Sequence, residues 1–142
     1  MTIEEIQNEI VEEFSIYDDW MDKYNYLIEL GSDLEIFEEQ HKKKDYVIEG
    51  CQSRVWLYPE MRDDRLFFKA DSDAIITKGI VALLIKVVSG RTPEEIMTSD
   101  LFFIDKIGLK QNLSPTRPNG LLAMVKQMKL YAIAFNAKQK SN

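Results

Sequence analysis

Two runs of β-branched and aromatic residues, separated by a short segment that contains glycine, constrain the fold of this chain more than any other feature. The first run is Tyr46-Val47-Ile48 and the second is Val55-Trp56-Leu57. Such residues favour pleated strands, and Gly50-Cys51-Gln52 between the runs is typical of a turn or bulge. The pattern predicts two neighbouring strands, with the only cysteine of the chain in the turn that joins them.

The remaining sequence predicts one more strand and several helices. Arg65–Ala70 has strand character and follows a turn at Pro59–Asp64, so the three strands should form an antiparallel meander. Helices are expected at about Ile3–Phe14, from Asp18 or Asp19 to Gly31, from the cap Asp71-Ser72-Asp73 to about Ser89, after Thr92, at Phe102–Ile107 and from Ser114-Pro115 onward. We therefore expect an α+β fold over residues 1–142, one domain in which a three-stranded antiparallel sheet packs against N-terminal, central and C-terminal helices.

Composition limits the possible partners. The formal net charge of −6 disfavours binding to the phosphate backbone of nucleic acids, and no apolar run approaches the length of a membrane span. One cysteine and one histidine exclude an internal disulfide and cannot by themselves supply a zinc or iron–sulfur site. No signal peptide is visible, so we expect a cytoplasmic protein with no membrane or nucleic-acid partner and no metal.

The neighbours of Cys51 exclude several kinds of thiol enzyme. A phosphatase loop needs arginine six positions after the cysteine, where Leu57 stands, and a dithiol site needs a second cysteine where Arg54 stands. His41 is a poor candidate for a general base, because it lies in a polar stretch ten residues upstream. Cys51 is then either a small buried side chain or a thiol that forms a covalent adduct without machinery for turnover.

Four sequence blocks resemble the SufE family, which accepts sulfur from cysteine desulfurases. The central block is Gly50-Cys51-Gln52-Ser53, followed by Val55-Trp56-Leu57. The others are Tyr24-x-x-Leu27-Ile28-x-Leu30-Gly31, Asp71-Ser72-Asp73-Ala74-x-Ile76-x-Lys78-Gly79 and Leu113-Ser114-Pro115-Thr116-Arg117-x-x-Gly120-Leu121-x-Ala123-Met124. The blocks cover roughly residues 20 to 135 in the order of the family. Pro118 after the arginine is a small departure.

The resemblance implies that Cys51 takes sulfur from the persulfide of a cysteine desulfurase and delivers it to an iron–sulfur scaffold complex. It also implies that the protein stimulates the desulfurase and is a carrier, not a free-standing enzyme. No cofactor is expected on this chain, because pyridoxal phosphate belongs to the desulfurase. We expect a monomer or a weak homodimer. Two alternatives stay open: a non-catalytic adaptor with Cys51 packed inside, and a redox sensor with one cysteine.

Six further residues are candidates for the site. Gly50 should shape the cysteine turn, while Gln52 and Ser53 should fix it by hydrogen bonds from their side chains to the backbone. Asp71 and Asp73 are expected first as helix caps and second as functional residues. Arg117 lies at a helix start, where the helix dipole disfavours a cation. It is expected either to pair with Asp71 or Asp73 or to contact the partner.

Overall fold

A computed structural model describes residues 1–48, 53–109 and 117–141 of the chain, with the backbone alone for residues 117–119 and 141. Short 3-10 turns at Glu39–His41 and Lys44–Tyr46 precede the strands. The other described elements, in chain order, are α1 (Ile3–Ser15), α2 (Trp20–Ser32), β1 (Val55–Arg62), β2 (Arg65–Ser72), α3 (Ile75–Val88), α4 (Pro93–Thr98), α5 (Phe103–Lys106) and α6 (Arg117–Ser141).

Strands β1 and β2 form an antiparallel hairpin whose register runs from Val55 opposite Ser72 to Arg62 opposite Arg65. The reversal is made by two residues, and Asp63 has a φ of 58°, a left-handed conformation that aspartate tolerates better than most side chains. The turn predicted at Pro59–Asp64 is therefore too long. Pro59 lies inside β1, opposite Phe68; with only one named strand as neighbour, β1 is an edge on which proline is permitted.

The predicted third strand is wrong within the described residues. The chain forms a 3-10 turn at Lys44–Tyr46 and pairs with the hairpin only at Val47, by an isolated bridge to Trp56. The Ile48 amide then donates to the Val55 carbonyl at 2.8 Å. The 3-10 turn takes up Tyr46, so the described part of the predicted strand is reduced to a single bridge at Val47. The α+β class is confirmed, and the sheet that the structure describes has two strands.

Helix α3 is the centre of the fold and packs against both β2 and α2. Nine of its residues are buried, so it lies between layers, as the apolar sequence predicts. Gly79 of α3 meets α2 so closely that a Cβ placed there would lie 2.6 Å from the Leu27 carbonyl carbon. Gly31 faces the same contact, and its Cβ would lie 2.9 Å from the Gly79 nitrogen. The prediction that Gly31 ends its helix is wrong, since α2 continues to Ser32.

The helix starts follow the capping residues in three of the predicted cases. Thr2 and Glu5 form a capping box on α1, Thr92 and Glu95 form another on α4, and Asp19 caps α2. The start of α6 predicted at Ser114-Pro115 lies outside the described residues.

The cap predicted for α3 is wrong. Its N-cap is Ala74, which has no capping side chain, and Asp71 and Ser72 belong to β2. The pairing of β2 with β1 continues to Ser72, so Asp71 and Ser72 are taken up by the strand before the helix begins.

The buried core joins α1, α2, the hairpin, α3, α5 and α6. Its largest fully buried side chains include Phe14, Leu27, Leu57, Leu66, Leu84, Phe103, Leu121 and Met128. None of the described helices combines the length and the apolar character that crossing a bilayer requires.

Candidate functional site

Three stretches meet at the open end of the hairpin, which we define as Ile48, Ser53–Trp56 and Asp71–Ala74. The Val47–Trp56 bridge and the hydrogen bond from the Ile48 amide to the Val55 carbonyl place Ile48 beside the start of β1. Residues 49–52, which contain the cysteine, connect Ile48 to Ser53. Both ends of this segment are therefore fixed to the sheet at one place.

Hydrogen bonds from the end of β2 hold the backbone of Arg54. The Arg54 amide donates to Asp73 Oδ1 at 3.0 Å, and the Arg54 carbonyl accepts from the Ser72 hydroxyl at 2.8 Å. The same carbonyl accepts from the Asp73 amide at 3.3 Å, and the Ser72 hydroxyl accepts from the Ala74 amide at 3.2 Å. Asp73 and Ser72 thus hold the residue that leads from the cysteine segment into β1, and Asp73 does not cap α3.

An ion-pair network lies beside these hydrogen bonds. Asp71 accepts the ammonium of Lys42 at 3.1 Å and that of Lys78 at 3.3 Å, and Lys42 also reaches Glu39 at 3.2 Å. The Lys42 ammonium lies 5.3 Å from the centre of the Trp56 ring, within the range of a cation–π contact. Lys42 thereby links the stretch before the cysteine to both strands of the hairpin.

The network sets the protonation of its members. Burial alone would raise the pKa of Asp71, but hydrogen bonds from Lys42 and the Ser72 amide, together with the charge of Lys78, lower it below the ordinary value. The hydrogen bond to Asp71, and a second one to Glu39, raise the pKa of Lys42. Asp71 is therefore a carboxylate at neutral pH, and it joins two cations that would otherwise repel each other.

Aromatic packing supports the stretch that precedes Val47. The His41 ring stacks on Tyr58, with centroids 3.8 Å apart and planes 12° from parallel, and Tyr46 meets Tyr58 edge-on at 5.0 Å. The sequence predicts His41 in a polar loop, but the ring is half-buried against β1. Sequence spacing could not reveal this, because the contact joins residues 17 positions apart.

The structure tests some of the predicted site residues. Gly50, Cys51 and Gln52 lie outside the described residues, so their roles stay predictions. Ser53 is half-buried, and its side chain makes no hydrogen bond to another described residue. The Ser72 hydroxyl bonds to the Arg54 carbonyl, and the role predicted for Ser53 in the cysteine turn stays a prediction.

The two aspartates and the arginine have different outcomes. Asp71 and Asp73 both lie near the ends of the cysteine segment. They make the contacts described above and do not act as helix caps. Arg117 is the first residue of α6, and its side chain is not described. Its predicted pairing stays open, although Asp71 already has two lysine partners.

Three residues of the site were missed as participants by sequence reasoning: Lys42, Ser72 and Lys78. Ser72 was predicted only as part of a helix cap, Lys78 stands inside a block that was identified by resemblance, and Lys42 belongs to a run that was expected to be a solvated loop. The one available signal was the basic run Lys42-Lys43-Lys44, six residues before the conspicuous Gly50 in an acidic chain.

No group of three or more His, Cys, Asp or Glu side chains that could hold a metal ion occurs within residues 1–48, 53–109 and 120–140. Cys51 is not among these residues. The expectation that no metal binds to it therefore stays a prediction.

Comparison with known proteins places this geometry in a family. Residues 8–132 match the sequence model of SufE, described as an Fe-S metabolism associated domain. An uncharacterized SufE-like protein of Rhizobium etli is 40% identical over 127 residues, which cover 86% of each chain. A SufE-like protein of Synechocystis is 38% identical over 92% of this chain and 82% of its own length.

Two further relatives extend the comparison. A chloroplastic or mitochondrial SufE-like protein 1 of Arabidopsis thaliana is 39% identical over 92% of this chain, but the match covers only 35% of the plant protein. The solution structure of a hypothetical protein from Thermus thermophilus superimposes with a TM-score of 0.74 over 90% of this chain and 93% of its own. Its 16% identity supports the fold alone. Because the family match covers residues 8–132, which include the whole hairpin, the chain belongs to the SufE family and takes part in iron–sulfur metabolism.

Proposed function

We propose that this protein is a sulfur acceptor and carrier for iron–sulfur cluster assembly and that Cys51 is the residue that carries the sulfur. A cysteine desulfurase is the donor, its activity is stimulated by the transfer, and an iron–sulfur scaffold complex is the recipient. The observation that carries the proposal is the single cysteine in a segment whose two ends are fixed together at the open end of the hairpin.

The transfer is a thiol exchange. The Cys51 thiolate attacks the outer sulfur of the persulfide on the desulfurase cysteine, the sulfur–sulfur bond breaks, and the desulfurase cysteine leaves as a thiolate. Cys51 then bears the persulfide, so that one sulfur–sulfur bond has replaced another without net oxidation or reduction. A carrier benefits from having one cysteine, because a second thiol nearby would release the sulfur as sulfide and close a disulfide.

The described contacts favour this role because they hold the residues on both sides of the cysteine segment in place. Asp73 and Ser72 hold the backbone immediately after the cysteine segment, while Lys42 attaches the preceding stretch to Asp71. These anchors keep the ends of the segment in place, which reduces the ordering cost when a partner binds it. The cytoplasmic location and the monomeric or weakly dimeric state stay predictions.

The decisive test is intact mass spectrometry after incubation with cysteine and a cysteine desulfurase. A carrier gains ~32 Da, the mass of one sulfur, and dithiothreitol removes it. An adaptor with a packed cysteine gains nothing. A redox sensor gains oxygen from peroxide instead of sulfur from the desulfurase. An unchanged mass under conditions of active desulfuration would overturn the proposal.

Cys51→Ser provides the matched variant. It changes one atom, and a serine hydroxyl is a poor nucleophile without a general base. We expect the variant to fold and to bind the desulfurase, but to gain no sulfur and to give no stimulation of cysteine turnover. Stimulation that survives in the serine variant would contradict the carrier mechanism.

Arg117→Ala tests the proposed docking role of the arginine. If Arg117 contacts the partner, the substitution weakens docking or sulfur transfer and leaves the unfolding temperature nearly unchanged. Exposed ion pairs contribute only ~0–1 kcal/mol, so a purely structural role predicts a small effect on both. A clear drop in unfolding temperature with unchanged transfer kinetics would assign the residue to the fold.

A further inference from the structure

A basic groove lies beside the open end of the hairpin. It has a volume of about 330 Å³ and is lined by Lys42, Lys43, Lys44, Val47, Arg54 and Trp56. Two of these residues border the cysteine segment closely: Val47 lies two positions before it, and Arg54 lies two positions after it. Anything that fills the groove is therefore next to residues 49–52.

The positive charge of the basic groove is mostly free. The Lys42 ammonium is paired with Asp71 and Glu39, so its charge is compensated within the protein. Lys43, Lys44 and Arg54 are exposed, and their side chains form no ion pair with another described residue. None of the described residues that line the groove is a carboxylate.

This concentration of cations opposes the charge of the whole protein. The chain has 18 Lys and Arg against 24 Asp and Glu, for a net charge of −6. A local reversal of sign focuses the attraction of an anion on one place, while the rest of the surface repels it. A long polyanion such as a nucleic acid would meet that repulsion along most of its length, whereas a short acidic segment would not.

The apolar lining of the groove adds a second requirement. Val47 and the half-buried Trp56 supply apolar surface beside the cations of the groove. Guanidinium and ammonium groups recognise carboxylates, and an indole ring buries apolar side chains well. The matching ligand is an acidic peptide segment with at least one apolar side chain among its carboxylates.

We propose that the basic groove docks an acidic surface segment of the sulfur-donating desulfurase and so brings the donor against the cysteine segment. This inference rests on the proposed carrier function for the identity of the partner. The groove is separate from the thiol chemistry, because its cations accelerate and orient the encounter and take no part in the exchange of sulfur.

The test uses the whole 142-residue chain and the cysteine desulfurase of the same organism, with the reactive cysteine of the desulfurase replaced by serine. No sulfur moves in this mixture, so the dissociation constant reports docking alone. We expect the double variant Lys43→Glu/Lys44→Glu to bind about tenfold more weakly, and the loss to shrink between about 50 and about 300 mM NaCl as the charges are screened. A fluorescent glutamate oligomer should bind the wild type and compete with the desulfurase.

The matched control is Lys126→Glu/Lys140→Glu. Both lysines are exposed on α6 and do not line the groove, and the control changes the net charge by the same amount. It should bind the desulfurase within about twofold of the wild type. Equal weakening in both double variants would overturn the proposal, because total charge would then be the cause. A thymidine oligonucleotide of equal charge that competes better than the glutamate oligomer would also overturn it.

Failure of the groove and failure of the carrier function give different results. If the wild type gains sulfur and the Lys43→Glu/Lys44→Glu variant binds the desulfurase normally, the docking role of the groove is overturned and the carrier function is retained. Groove-dependent binding without any gain of sulfur overturns the carrier and supports the groove. No binding by the wild type overturns the groove as a donor site, and the mass measurement still decides the carrier function.

Discussion

Two regions near α3 make contacts of different kinds. Within the helices, Gly79 and Gly31 bring α3 and α2 together with no room for a methyl group. Just before α3 begins, Asp71 bonds to Lys42 and Asp73 bonds to Arg54 through exposed or half-buried polar groups. The first contact has one possible geometry, because it is limited by the backbone. The second is a set of replaceable hydrogen bonds and ion pairs.

The difference indicates how the protein divides its residues between stability and function. A backbone contact inside the core cannot relax, so a substitution that disturbs it lowers the free energy of unfolding. Polar contacts at the open end of the hairpin each contribute little to folding, since water competes for the same groups. Changes there should instead alter how the cysteine segment is held. Substitutions in both regions test this contrast.

The largest effect is expected from Gly79→Ala. Alanine in place of glycine inside a helix normally stabilises by about 0.5–1 kcal/mol. Here the added methyl would meet the Leu27 carbonyl group, whose carbon would lie 2.6 Å away, so we expect the free energy of unfolding to fall by about 3 kcal/mol. Urea denaturation measures the change.

Gly31→Ala is the companion variant for that measurement. Its Cβ would lie 2.9 Å from the Gly79 nitrogen, a less severe contact, so a smaller loss is expected. Increased stability in both variants would show that α2 and α3 can separate at low cost, and the contrast between the two contacts would disappear.

A smaller effect is expected from Asp71→Asn. The amide keeps an acceptor for the Ser72 amide but loses the charge that joins Lys42 and Lys78. Because the pairs are half-buried, the loss should be near 1 kcal/mol at neutral pH, the upper end for solvent-screened ion pairs.

The pH dependence of that difference identifies its cause. The pKa of Asp71 is lowered in the folded protein, so its carboxylate stabilises the fold above the pKa of the unfolded chain. That contribution is lost as the pH falls through the lowered pKa of the folded state. The urea midpoints of wild type and Asp71→Asn should therefore converge as the pH is reduced through that range. A difference that persists in acid would assign the effect to packing.

The smallest effect on stability, less than about 1 kcal/mol, is expected from Asp73→Ala, because Asp73 is exposed and its side chain accepts one hydrogen bond from the Arg54 amide. The substitution should instead change the reactivity of Cys51. With one anchor after the cysteine segment removed, we expect alkylation of Cys51 by iodoacetamide to change by about twofold or more, since local ordering controls access to a thiol. Asp73→Asn keeps the acceptor and should label like the wild type; equal rates in all three proteins would contradict the anchoring role.

The elements with local signals could be predicted from the sequence. The capping boxes at Thr2 and Thr92 and the apolar period of α1 depend on residues three or four apart, and the structure confirms them. The strand β2 and the α3 helix were also predicted close to their bounds. The errors occur where a local signal competes with distant pairing. Asp71-Ser72-Asp73 has the composition of a cap, but β1 pairs with it as far as Ser72.

The candidate site was predicted in part. Its central residue and neighbours stand in a contiguous motif, so a reader of the sequence finds Cys51 at once, although its setting lies outside the described residues. Asp71 and Asp73 lie beside the residues that flank the cysteine segment and do not make the predicted cap contacts, while their functional roles stay predictions. Lys42 was missed because its partner Asp71 is 29 positions away, a separation at which no periodic pattern operates.

The sequence by itself determined the capped starts of α1, α2 and α4, the strand β2, the single thiol and the family, because each of these depends on neighbouring residues or on a contiguous motif. Only the tertiary structure decided that Gly31 and Gly79 face each other, that Asp73 holds Arg54, and that three lysines line a groove with Trp56. The physical reason is the range of the interactions. Capping and periodicity act within a turn or two of the chain, whereas close packing and charge pairing depend on distances in space that exist only after the chain has folded.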